Sequence, residues 1–375
     1  MKVVHIGASL DRGGANIMLY RLLTCSNSAK FSHEVISMTV IGPIGEKIQE
    51  LGIPVYEMRM RRGIPNPLSL VDLAVRLRKI SPQVIQTWGY HADLMGGLAA
   101  KMAGGVPVVW GIHHTTFDPK GTKRMTVLTA KMSARLSKWL PKHIICCSET
   151  SRLVHTQLGY ATDRMSVIPN GFDLSVFHPD ADARQSVRNE LGISGDTPLI
   201  GLFARFDPQK DHQNFIQAGG LLLSKFPECH FLLCGFEITW ENPALVSWIN
   251  AAGIQHRCHL LGPRDDIPRL TAALDIASTA SSFGEAFPLV VGEAMASGVP
   301  SVVTDIGDSA LIVGDTGVVV PPKNAQALAD GWMKLLRLSP EERKNLGVAA
   351  RQRISDLYNL EMIVSQYEQV YETKI

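Results

Sequence analysis

Short β-branched runs that are apolar on both faces, spaced by helix-length segments, constrain this chain more than any other feature. They are KVVHIG, HEVISM, VPVVWGIH and HIICCS in the first half, then PLIGLFA, HFLLCG, SVVTD and GVVVP in the second. A strand with one wetted face alternates apolar and polar residues. A strand apolar on both faces must be covered twice, which is the condition of a parallel strand between two helical layers. Two sets of such runs in 375 residues predict an α/β chain of two doubly wound, Rossmann-like domains with a ligand cleft between them. A hydrophobic share of 45% is enough to fill both cores.

The division is expected near Asn170–Gly171–Phe172–Asp173, because the following VFHPDADAR has turn chemistry and little strand or helix character. This gives domains 1–172 and 173–357. A second crossing near Leu357 to Leu360 would let LEMIVSQYEQVYETKI, apolar at helical spacing, pack back on the first domain as a helix of about 358–375.

The 37 Lys+Arg against 35 Asp+Glu leave a net charge of only +2, which argues against a basic nucleic-acid binder and an acidic disordered chain alike. The balance conceals a split. Residues 1–172 hold 21 basic and 10 acidic residues, a net of +11, and residues 173–375 hold 16 and 25, a net of −9. The six cysteines include no C-x-x-C and mostly lie in apolar runs, as expected of reduced, buried thiols in a cytoplasmic protein. No run approaches the roughly 18 apolar residues of a membrane span, so any membrane contact is expected to be peripheral.

Ser281 to Pro300, SSFGEAFPLVVGEAMASGVP, carries the most chemistry. Glu285 sits in a Gly-containing loop, Pro288 suits the first turn of a helix, Glu293 lies inside it, and Gly298–Val299–Pro300 stops it. Eight helical residues span about 12 Å, too far for the acid and base of a glycoside hydrolase, so the two carboxylates are better placed to grip two ends of one long ligand. Between them, the helix start at Phe287, Pro288 and Leu289 offers unpaired N–H groups and a positive dipole end to a phosphate. Carboxylate, phosphate seat, carboxylate is the order that a sugar–diphosphate–nucleoside needs.

With these flanks, Glu285-x7-Glu293 resembles the signature of the retaining glycosyltransferases of family 4, which have the GT-B fold. LIGLFARFDPQKD resembles that family's strand–Arg–loop–Lys element, in which Arg205 and Lys210 would clamp the donor diphosphate. The resemblance further implies that Glu293 holds the ribose hydroxyls, that Glu285 and His113 hold the transferred sugar, and that HLLGPRDDIPRL holds the nucleobase through backbone groups of Leu261 and Gly262 and the side chain of Arg264. Gly13–Gly14, after the first strand, matches the family's glycine loop, with Asn16 where an acid is usual. Trp88–Gly89–Tyr90–His91–Ala92 is expected to line the acceptor side.

Asp180–Ala181–Asp182 formally matches a cation-binding Asp-x-Asp, but after a Pro it reads as helix capping. No metal or other cofactor is expected. From Pro119 to Ser148 the chain has Lys120, Lys123, Arg124, Lys131, Arg135, Lys138 and Lys142 and no acid. Met125, Leu128, Met132, Leu136, Trp139 and Leu140 recur at helical spacing, as in an amphipathic helix on anionic lipid or in a core-facing helix with a basic outer side. Arg59, Arg61 and Arg62 could share that surface. The expected activity is retaining transfer from a nucleoside-diphosphate sugar, most simply a UDP-sugar, to a glycan or lipid-linked acceptor in surface-polysaccharide assembly. A GT-B epimerase or hydrolase, and a non-catalytic sugar-nucleotide binder, are the alternatives. Oligomeric state is left open.

Overall fold

The computed structural model describes residues 1–60, 67–115 and 124–375. Arg61, Arg62, Lys120 and Lys123 lie outside the described residues. Two compact units result, one of Met1–Gly171 with Leu360–Ile375, the other of Phe172–Asn359.

In the first unit the described strands are β1 (Lys2–Gly7), β2 (Ser32–Ser37), β3 (Val55–Glu57), β4 (Val84–Trp88), β5 (Val108–Ile112), β6 (His143–Cys146) and β7 (Met165–Val167). They form one parallel sheet in the order β3-β2-β1-β4-β5-β6-β7. Neighbouring residues of a strand serve opposite cores. Val3 and Val109 join the cluster under the helix Gly14–Cys25, while Val4, Ile6, Val108 and Trp110 join the cluster on the other face. This is why the strands read as apolar throughout.

The second unit repeats the plan with β8 (Leu199–Phe203), β9 (His230–Cys234), β10 (Cys258–Leu260), β11 (Ile276–Ser278), β12 (Ser301–Thr304) and β13 (Val318–Val320), in the parallel order β10-β9-β8-β11-β12-β13. Ile200 and Leu202 face one core, Leu199 the other.

The helix Leu360–Thr373 belongs to the first unit, burying Leu360, Ile363, Val364, Tyr367, Val370 and Tyr371 beside Met18, Leu19 and Leu22. Counting it there, the first unit holds 22 basic and 13 acidic residues, a net of +9, and the second 15 and 22, a net of −7. Within the second unit the ring of Phe172 lies so close to Gly292 that a Cβ there would be 2.1 Å from its Cζ.

The helix Arg124–Leu136 packs differently from the expectation of a core-facing apolar stripe. Its buried side is Thr129, Ala130, Ser133 and Ala134, whereas Met125, Leu128 and Met132 are exposed beside Arg124, Lys131 and Arg135. Small residues let it approach the neighbouring helix Tyr90–Met102 closely, and the larger side chains are left outside. All six cysteines are free and all but Cys25 are buried. Among the described residues no helix is long and apolar enough to cross a membrane.

Candidate functional site

An open parallel sheet binds ligands beyond the carboxyl ends of its strands, where the strand order reverses. In the second unit that point lies between β8 and β11. Two loops meet there. The loop after β8 carries Arg205, Asp207 and Lys210; the loop after β11 carries Ser281, Ser282 and Glu285 and leads into the helix Leu289–Ala296. Their backbones are tied together, the Ser282 N–H donating to the Gln209 carbonyl at 2.8 Å. A third loop, after β12, supports them. Gly307 has φ +60°, and a Cβ there would lie 2.4 Å from the Glu285 carbonyl oxygen, so only glycine lets this segment pass beneath Glu285.

The charged side chains are paired. Lys210 Nζ donates to Glu285 Oε1, which also accepts from Ser281 Oγ at 2.7 Å. Side-chain exposure is only 19% for Lys210 and 11% for Glu285. Arg205 donates through Nε and Nη2 to Asp207 Oδ2 at 3.1 and 2.9 Å, and Asp207 Oδ1 caps the following turn by accepting from the Gln209 N–H at 2.9 Å. This second pair is open to solvent, 56% for Arg205. Glu293 is buried inside the helix Leu289–Ala296. Pro288 occupies the N-cap position, one step before the first turn expected for it, and supplies no side-chain cap.

Leu261, Gly262 and Arg264 are less available than the sequence suggested. The Leu261 N–H donates to Leu233, the Gly262 N–H to Ile238, and the Gly262 carbonyl accepts from Gly235. Arg264 makes a bidentate pair with Asp266 and a third bond to Glu190, so its guanidinium braces this loop. Asp180, from the Asp-x-Asp, accepts from the Ala183 N–H at 2.8 Å and caps the helix Ala181–Leu191. Among the described residues no group of three or more His, Cys, Asp or Glu is placed to hold a metal ion.

In the first unit the strand order reverses between β1 and β4, and the residues beyond β1, β4 and β5 are Gly13–Gly14, Gly89 and His113. Gly13 is the N-cap of the helix Gly14–Cys25, with extended backbone and open space within 4 Å of where a Cβ would stand. Asn16 Nδ2 donates to the Asp11 carbonyl at 2.8 Å, closing the loop, which accounts for an amide rather than an acid at this position. Trp88 and Tyr90, expected on the acceptor side, are buried instead. The Trp88 indole N–H donates to His5 Nδ1 and the Tyr90 hydroxyl meets His155 Nε2 at 2.7 Å. His113 stacks on Trp88, ring centroids 5.0 Å apart, and burial lowers its pKa to about 4, so the ring is neutral. Both of its ring nitrogens are buried and lack a hydrogen-bond partner among the described residues.

Sequence reasoning missed Asp207 and Ser281, which hold Arg205 and Glu285, and His5, which holds Trp88. Asp207 was detectable as a carboxylate two residues from the arginine of the strand–loop motif. Nothing local marks the other two.

Two doubly wound units, each with chemically equipped strand ends at its switch point, define the GT-B class of fold. The comparisons agree. A family model described as Glycosyl transferases group 1 matches residues 183–353, and one described as Glycosyltransferase Family 4 matches residues 12–176. Between them they run along most of the chain, which belongs to the family-4-like glycosyltransferases. It is 26% identical to the UDP-Gal:alpha-D-GlcNAc-diphosphoundecaprenol alpha-1,3-galactosyltransferase of Escherichia coli, over 65% of this chain and 63% of that protein's own length. It is 25% identical to the N,N'-diacetylbacillosaminyl-diphospho-undecaprenol alpha-1,3-N-acetylgalactosaminyltransferase of Campylobacter jejuni, over 98% of both chains. Among solved structures, Anabaena Alr3699/HepE in complex with UDP has the same fold over 100% of both chains, with a TM-score of 0.85 at 22% identity.

Proposed function

We propose that this chain transfers a sugar from a UDP-sugar to a lipid-linked glycan acceptor, with retention of anomeric configuration and without a metal ion. The observation that carries the reading is the pairing of Lys210 with Glu285 and Arg205 with Asp207 at the start of the helix that holds Glu293. Arg205, Lys210 and the N–H groups around Phe287 to Leu289 take the diphosphate, Glu293 the ribose hydroxyls, and Glu285 and His113 the sugar. Gly13, with open space where a Cβ would stand, leaves room for acceptor or phosphate beside the backbone at the Gly13–Gly14 loop. Relatives named for UDP-galactose and for diphosphoundecaprenol-linked sugars support the donor and acceptor classes.

In the reaction the bond from the anomeric carbon to the diphosphate breaks, and the acceptor oxygen bonds to that carbon on the same face. The acceptor proton passes to the departing phosphate oxygen. Negative charge on the leaving group peaks in the transition state, so Arg205 and Lys210 act most there.

Thermal-shift measurements with UDP-, GDP- and ADP-sugars test the donor. A ligand at 100 times its Kd stabilises by about 2.7 kcal/mol. UDP-sugars are expected to raise Tm, and stabilisation by GDP- or ADP-sugars alone would overturn the base assignment. Donor consumed at full rate without acceptor would replace transfer by hydrolysis or epimerisation.

The acceptor class and the exposed Met125, Leu128 and Met132 beside Arg124, Lys131 and Arg135 favour peripheral work on the cytoplasmic membrane face. Trp139, 66% exposed, adds an interfacial aromatic. Each basic residue near anionic lipid contributes about 1 kcal/mol.

A further inference from the structure

We infer that His5 is a positioning residue for His113, acting through Trp88, and that a one-way chain of hydrogen bonds anchors it to the C-terminal helix. This rests on the reading that His113 serves the transferred sugar.

The tautomers follow from the partners. An indole nitrogen only donates, so the Trp88 N–H, 3.3 Å from His5 Nδ1, obliges that nitrogen to accept. The His5 proton then sits on Nε2 and is donated to His33 Nδ1 at 3.0 Å. His33 in turn carries its proton on Nε2 and donates to Ser26 Oγ at 2.8 Å. The Ser26 hydroxyl donates to Glu368 Oε1 at 2.8 Å, where the Asn27 N–H also ends. Every donor points outward from Trp88 to a carboxylate on the helix Leu360–Thr373. The order requires neutral imidazoles, because a second proton on either ring would set two N–H groups head to head. Burial lowers the pKa of both histidines, consistent with this geometry.

The chain fixes one edge of Trp88, and stacking fixes its faces. His113 lies over one ring system at 5.0 Å and Tyr367 packs at 6.0 Å, both inclined 20° to the indole. Tyr367 comes from the same helix as Glu368. His113, whose ring nitrogens have no partner among the described residues, is therefore oriented by the indole it rests on. Turning Trp88 would turn His113 with it.

Two conservative variants separate the two sides of the His5 ring. In His5→Asn the amide oxygen replaces Nδ1 and still accepts from Trp88. In His5→Gln the amide N–H replaces Nε2–H and still donates to His33, leaving the indole N–H unpaired. The full chain is assayed for UDP release from a panel of UDP-sugars with and without undecaprenyl-diphosphate-linked acceptor. UDP affinity, Tm and the His113 Cε1–H resonance, which senses the Trp88 ring current, are recorded for each variant.

His5→Gln is expected to lower kcat about tenfold and to move the His113 resonance, with UDP affinity unchanged, since misplacement of roughly 1 Å can cost up to a hundredfold. His5→Asn is expected to keep both kcat and resonance near wild type even where its Tm falls as far. Equal kcat losses tracking Tm, or an unmoved resonance in His5→Gln, overturn the positioning role. A His113→Ala variant with undiminished turnover overturns the sugar contact instead. In that case the resonance still moves in His5→Gln, so the two failures are distinguishable.

Discussion

The two units use the same place on the same kind of sheet for opposite chemistry. Beyond β4 and β5, His113, Trp88 and Tyr367 form a buried neutral stack with His5 behind it. Beyond β8 and β11, Arg205, Asp207, Lys210 and Glu285 form two ion pairs on loops. The stack holds its members by shape, with no ion pair among them. The ion pairs hold their members by charge, and under the proposed function a diphosphate would exchange with Asp207 for Arg205, because an exposed pair contributes only about 0–1 kcal/mol. Topology places the sites, and side chains decide whether a site is fixed or exchangeable.

The sharpest way to break this contrast is to remove the exchangeable cation. Arg205→Ala is expected to lower kcat by about two to three orders of magnitude, as for other groups that meet charge formed in the transition state, with a much smaller change in donor Kd. Steady-state kinetics beside equilibrium binding of UDP decide it, and equal losses in both would make Arg205 a ground-state binder.

The two pairs should also differ in stability. Glu285→Ala strands Lys210 in a site that is mostly buried and is expected to cost about 3 kcal/mol, the low end for breaking a buried pair. Asp207→Ala frees a solvated arginine and loses one turn cap, about 1 kcal/mol. Urea unfolding of both variants measures the difference, and equal losses would mean that the Lys210–Glu285 pair is as exchangeable as the other.

Much of this arrangement was legible in the sequence where signals are local. The strands declared themselves through apolar residues on both faces, and Leu360–Thr373 through its helical spacing. Arg205, Lys210, Glu285 and Glu293 stand in motifs with flanks of their own. What was not legible depends on backbone that sequence does not specify. The Arg205–Asp207 pair needs the turn at Pro208–Lys210 to bring the carboxylate back. His5 meets Trp88 across 83 residues, and only the β1–β4 pairing brings them together. For the helix Arg124–Leu136 the spacing of its large apolar residues left a lipid-facing and a core-facing reading open, and the core-facing one fails because the small residues are those that face inward.

Acid should separate the units again, by a smaller margin. Burial holds His33, His113 and His155 near pKa 4 and His5 well below its ordinary value. In the second unit His212 and His230 are also lowered to about 4, two such rings against four in the first. A lowered imidazole stabilises fully above the unfolded value of 6.5, and that stability is lost as pH falls toward 4, because the unfolded chain binds the proton first. The first unit should therefore lose protection at lower acidity than the second. Hydrogen exchange at pH 7 and pH 4.5 resolves the units, and parallel losses in both would remove the contrast.

Asp93 opposes that slope from within the first unit, and its replacement is the finest test. Its carboxyl is fully buried, accepts from Thr87 Oγ1 at 2.5 Å through Oδ1, and has no partner for Oδ2 among the described residues, so desolvation raises its pKa to about 7. The sign is the reverse of the histidine case. The unfolded carboxyl ionises near 3.8, so between that value and 7 the folded state alone keeps the proton, and stability falls as pH rises through this window. Asp93→Asn keeps an oxygen for Thr87 and cannot ionise, at the cost of a buried N–H with no evident acceptor. Relative to wild type it is expected to be less stable at pH 5 by about 1–2 kcal/mol, and to recover most or all of that deficit by pH 8. Urea unfolding at the two values measures this, and a deficit independent of pH would show that Asp93 is ionised throughout.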